Sequence, residues 1–176
     1  MSFSQIYIQA LLIIMSMMTV LWIVSIISRN VSIVDIFWGM GFGITSLFYF
    51  YRTGDADLRR ILIVTFVTIW GLRLSVYLAW RNSGKGEDFR YRNFRKKYGE
   101  KRYWWISFSQ TFMLQGILTW LISVTVLGAL YYSRHAVPVL IDYIAIIVWI
   151  TGFVFEAGGD YQLSVFRSDP ANRGKV

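Results

Sequence analysis

From Ile6 to Ile27 the chain carries no charged side chain, and four further stretches of similar length come close to that pattern. They are Val31–Tyr51 with Asp35, Ile61–Trp80 with Arg73, Ile106–Tyr132 with Gln115 and no charge, and Val139 to about Gly158 with Asp142 and Glu156. A bilayer core about 30 Å thick takes roughly 20 apolar residues at a rise of about 1.5 Å each. The five stretches therefore predict an all-α polytopic membrane bundle of about five transmembrane helices. Composition agrees: 56% of residues are hydrophobic, 16% are charged, and mean hydropathy is +0.48. Those values exclude a disordered tail, a coiled coil and an ordinary water-soluble enzyme. The first stretch is too long for a signal peptide, follows no basic residue and precedes no small-residue cleavage site. Neither repeats nor proline-rich linkers interrupt the chain, which reads as one membrane domain over residues 1–176.

The net charge of +8 follows the loops. With the N-terminus outside, the inner segments hold Arg29, nine basic residues between Arg81 and Arg102, and Arg167, Arg173 and Lys175, 13 in all. The outer loops hold Arg52, Arg59, Arg60 and Arg134, and Arg73 lies within a span. A split of 13 to 4 predicts an outside N-terminus and a cytoplasmic C-terminus. The basic loop, residues 81–105, reads RNSGKGEDFRYRNFRKKYGEKRYWW. Basic and aromatic residues together occur in nucleic-acid surfaces, but a position between two spans favours anionic lipid headgroups or an anionic cofactor, with no nucleic-acid partner. Glu87 and Asp88 stand out there, because a plain lipid-binding patch gains nothing from acids.

Charged groups within a bilayer are costly and point to a partner or a use. Under this topology Asp35 lies roughly 6 Å inside the cytoplasmic end of the second span, Arg73 about 11 Å into the third and Gln115 about 13 Å into the fourth. Glu156 lies at the end of the fifth, with Asp160 just beyond. This places polar groups of four spans in the inner half, as a cavity open to the cytoplasm requires. At about 100° per residue, Glu156, Asp160, Leu163 and Arg167 share one helical face, as do Arg73, Tyr77, Trp80 and Arg81. Structural alternatives stay open: an Asp35–Arg73 ion pair, a solvated helix end at Glu156 and Asp160, and interhelical hydrogen bonding by Gln115. GMGFG (Gly39–Gly43) has no preceding strand and reads as a G-x-x-x-G packing motif rather than a dinucleotide loop. With no cysteine and with His135 as the one histidine, thiolate or histidine metal sites and a histidine triad are excluded, and no metal is expected.

Five motifs then occur in order: VDIFWG (34–39), WGLRLSVYLAWRN (70–82), GEDFRYRNFRKKYG (86–99), FMLQG (112–116) and FEAGGDYQLSVFRSDPANRGKV (155–176). Together, from about Ser32 to Val176, they resemble the bacterial DUF1295 membrane proteins, relatives of the steroid 5-alpha-reductase C-terminal domain. The resemblance implies an oxidoreductase of the inner membrane that uses NADPH to reduce an activated carbon–carbon double bond in a lipid-like or steroid-like substrate. It further implies cofactor contacts from Arg73, Arg81, Glu156, Asp160, Arg167, Asn172, Arg173 and Lys175. Asp35 would be the catalytic acidic position at the substrate carbonyl, with Trp38, Tyr77 and Gln115 on the substrate. Family members continue into a segment resembling GLWxxxRHPNYFGE that this chain does not contain, so the expectation is a fragment that is inactive by itself. Two alternatives are an S-adenosylmethionine-dependent methyltransferase of the isoprenylcysteine or phospholipid type, and a non-catalytic membrane protein.

Overall fold

A computed structural model describes residues 1–54, 56–133, 138–172 and 175. The regular elements among them are all helices: α1 (Phe3–Ser28), α2 (Ile33–Thr53), α3 (Leu58–Asn82), α4 (Phe89–Tyr98), α5 (Glu100–Ser107), a π-helical turn (Phe108–Met113), α6 (Leu114–Tyr131), α7 (Leu140–Ser168) and a short 3-10 turn (Pro170–Asn172). Five helical stretches are long and apolar enough to cross a membrane, with α5, the π turn and α6 forming one continuous stretch from Glu100 to Tyr131. The expected spans are thus present, each with ends of its own. Charged side chains do not stop a helix whose backbone hydrogen bonds stay inside it, so the fifth continues through Glu156 and Asp160 to Ser168.

The chain divides into two units, Met1–Ala136 and Val137–Val176. In the first, α2 packs most extensively on α3, and α1 and α6 complete the bundle. The α2–α3 approach is set by glycine. A Cβ on Gly39 would lie 2.6 Å from the Gly71 carbonyl oxygen, inside contact distance, and one on Gly71 would strike the Gly39 carbonyl. Met40 N–H donates to the buried Ser75 hydroxyl at 3.0 Å across the same seam. The GMGFG segment is therefore a packing element, as its spacing predicts.

Residues expected to form a plain loop instead fold into α4 and α5, broken at Gly99, whose φ of 78° suits a residue without a Cβ. Asp88 caps α4 by accepting from Arg90 N–H at 3.0 Å. Tyr91 and Tyr103 from these helices join Met18, Val31, Val34 and Phe112 in one apolar core, which anchors the basic segment to the bundle. In the second unit, α7 runs into the 3-10 turn, where Asp169 and Asn172 hold the chain by local hydrogen bonds.

Candidate functional site

The most concentrated polar chemistry of the first unit sits where α2 begins. Its first turn carries Asp35, and the segment 87–98 folds back onto it. Arg90 Nη2 meets Asp35 Oδ2 at 2.7 Å, and the Tyr91 hydroxyl donates to Asp35 Oδ1 at 2.7 Å. Both carboxylate oxygens are thereby engaged, and the partner is Arg90 rather than Arg73. Arg90 also grips Asp88 at 3.0 Å. Next to this pair, Glu87 accepts from Val31 N–H at 3.0 Å and from Arg95 at 2.8 and 3.0 Å, while Asp88 N–H donates to the Ser32 hydroxyl at 2.7 Å. Glu87 and Asp88 thus fasten the basic segment to the start of α2.

Electrostatics follow from these contacts. Burial pushes the Tyr91 phenol far above its ordinary value, and the adjacent Asp35 charge adds to the shift, so it stays protonated and donating. Burial acts to raise the Asp88 carboxyl, but hydrogen bonds from the Arg90 side chain and backbone, with the charges of Arg90 and Arg81, outweigh it and hold the group below its usual value. The Arg90 and Arg95 guanidinium groups are raised chiefly by their hydrogen bonds to Asp88 and Glu87.

Gln115 follows the π turn by two residues, and its side chain lies beside the Tyr91 hydroxyl while its Oε1 is buried without a hydrogen-bond partner. A buried acceptor left unmatched is unusual and marks a place for a donor. On the α2–α3 seam Trp38 meets Phe42 and Trp70 edge-on at 5.0 and 6.4 Å. Further along α3, Arg81 lies 5.8 Å from the Tyr77 ring, and Tyr77 lies 6.2 Å from Trp80, so the expected face is assembled. Arg73 is on the same helix, one turn before Tyr77.

In the second unit, Glu156, Asp160 and Arg167 all stand on the continuous α7 at the spacing of one face. A groove of about 450 Å³ lies alongside, lined by Tyr161, Gln162, Val165, Phe166, Asp169 and Asn172. Asn172 donates to the Phe166 carbonyl at 3.1 Å, and its own carbonyl accepts from Lys175 at 3.2 Å. Arg173, expected on the cofactor, lies outside the described residues, as does His135.

The structure therefore joins Asp35 to Gln115 through Tyr91 and sets Tyr77 with Arg81. Arg90 and Tyr91 are the participants that sequence reasoning missed, and Glu87 is one that it singled out without a partner. Their signal was the acid pair inside a basic run, but Asp35 is 55 and 56 residues from its partners, beyond the reach of any periodicity. No curated protein matches the chain, and no solved structure does. Residues 21–176 match the family described as "Protein of unknown function (DUF1295)", and the chain belongs to that family.

Proposed function

We propose that this protein is a membrane-embedded, NADPH-dependent reductase of an activated carbon–carbon double bond in a lipid-like or steroid-like molecule, oriented with its N-terminus outside and the basic segment in the cytoplasm. The observation that carries the reading is the Asp35–Arg90–Tyr91–Gln115 cluster at the end of an otherwise apolar bundle. Five apolar helices and the ordered family motifs support it.

The residues fit the cofactor by their chemistry. Arg73 and Arg81 supply cations on one face of α3 for phosphate oxygens. On the second unit, taken by itself, Glu156 and Asp160 offer carboxylate acceptors of the kind that ribose hydroxyl groups need. When bound, NADPH supplies a hydride. The chain's own part is electrostatic. An Asp35 carboxylate ion-paired with Arg90 is an acceptor only and already takes the one O–H of Tyr91, so the donor that stabilises a developing enolate is the Arg90 guanidinium it holds. The unmatched Gln115 carbonyl orients a hydroxyl or amide of the substrate, and Trp38 with Tyr77 provides flat apolar surface.

The test is ligand binding to the purified protein, with NADPH and S-adenosylmethionine titrated in parallel and melting temperature as the readout. NADPH should stabilise the protein, and Asp160→Ala and Arg167→Ala should each weaken that effect about tenfold or more, the usual worth of a hydrogen bond to a charged group. Affinity unchanged from wild type in both variants overturns the cofactor assignment. A response to S-adenosylmethionine alone puts the methyltransferase first.

A further inference from the structure

A second polar site lies away from Asp35, where the end of α1 meets α4 and α5. It is a cavity of about 540 Å³ whose lining includes Arg29, Arg95, Glu100, Lys101, Tyr103 and Trp104. Three of these are cations and one is an acid. Arg95 spends Nε and Nη2 on Glu87, and its guanidinium sits 4.9 Å from the Tyr103 ring. Among the described residues, Arg29 and Lys101 have no acidic partner.

Two observations point to a ligand. The Tyr103 side chain is 1% exposed, yet its hydroxyl has no hydrogen bond of good geometry, although Thr111 lies near it. A phenol left unmatched at the wall of a cationic cavity is a donor in want of an anion. Second, Arg29 holds the left-handed cap of α1 at φ 51°, where its N–H closes on the Ile26 and Ser25 carbonyls. Glycine or asparagine fills that position at lower conformational cost. The arginine instead offers a guanidinium at the rim, while its N–H engages two of the carbonyls that end α1.

The surroundings indicate where such an anion comes from. Trp22 donates to the Trp104 carbonyl at 2.8 Å, and Trp22, Trp104, Trp105 and Phe108 form a continuous aromatic cluster. Trp104 and Trp105 are 46% and 59% exposed. Exposed indoles beside the end of a 26-residue apolar helix are the signature of headgroup depth.

We infer that this cavity binds a phosphate ester, held by Arg29, Arg95, Lys101 and the Tyr103 hydroxyl, with a phospholipid headgroup as the source. Arg29 and Lys101 gather the charge, Tyr103 supplies the buried donor, and the indoles receive the glycerol end of the lipid.

The experiment titrates the purified protein in neutral detergent with short-chain phosphatidylglycerol and, separately, with inorganic phosphate, reading the melting temperature. Phosphatidylglycerol should give a saturable rise. At about fivefold per basic residue near such a surface, Arg29→Ala/Lys101→Ala should weaken binding roughly 25-fold. Tyr103→Phe, which keeps the packed ring, should weaken it severalfold. Lys96→Ala/Lys97→Ala removes the same charge outside the lining and should leave affinity unchanged. A saturable response to inorganic phosphate that competes with the lipid identifies a soluble phosphate ester as the occupant of the same site. Identical losses in the two double variants, or no saturable response to either probe, overturn the proposal.

Discussion

Glu87 and Asp88 stand in the most basic run of the chain, and at the scale of single residues their positions follow from what they hold. Glu87 takes the Val31 amide and Arg95, while Asp88 caps α4 and anchors Arg90 beside Asp35. Sequence alone marked the pair as out of place in a lipid patch. Their partners were hidden because sequence carries no record of contacts made 56 residues away. The pair makes a pH prediction. The folded protein holds the Asp88 carboxyl below its ordinary value of 3.8, so its contribution is fully present above that value and is lost as pH falls through the lower folded one. Asp88→Asn keeps a good helix cap and removes the ion pair. Because Arg90 is half exposed, the loss should be only about 0.5 kcal/mol. Wild type should melt above the variant at pH 6, and the gap should close as pH drops below 4. A gap of equal size at pH 6 and pH 3 would assign the difference to something other than ionised Asp88.

At the scale of elements, the existence of the five apolar helices was readable and their termini were not. Twenty consecutive residues without charge need no tertiary information to be recognised, because lipid leaves the backbone few other ways to satisfy its hydrogen bonds. The π turn at Phe108–Met113 left no such trace: FSQTFM carries neither proline nor glycine to mark a change of winding. The basic segment hid two helices for a related reason. Its apolar positions, Tyr91 and Tyr103, serve one core but lie on separate helices. The G-x-x-x-G spacing, in contrast, named the α2–α3 contact, although its counterpart Gly71 was not foreseen. Gly71→Ala places a Cβ against backbone rather than against a side chain that can swing away. It should therefore cost about 1–3 kcal/mol in denaturant unfolding. Gly128→Ala, where a Cβ meets nothing within 4 Å, should be close to neutral. Equal effects at the two positions would remove the close approach as the explanation.

For the whole molecule, charge and shape converge on one end of the first unit. Half of the 18 basic residues lie between Arg81 and Arg102, and that segment is tied to the start of α2 by three acids, Asp35, Glu87 and Asp88. Of the segment's nine basic side chains, those acids pair with Arg90 and Arg95. The orientation this implies rests on an asymmetry that short loops obey during insertion, where lysine and arginine are retained in the cytoplasm. The tie to α2 adds a second constraint: once folded, the segment is held at the bundle end and is poorly suited to translocation. With no native cysteine, the chain permits a direct measurement by single replacements. Ala56→Cys lies exposed between α2 and α3, and Lys96→Cys lies exposed on α4. In intact cells a membrane-impermeant maleimide should label Ala56→Cys and leave Lys96→Cys unmodified, and in inverted vesicles the pattern should reverse. Labelling of Lys96→Cys from outside would turn the bundle over. The Asp35 cluster would then face away from any cytoplasmic nucleotide, and the reductase proposal would fall with the topology.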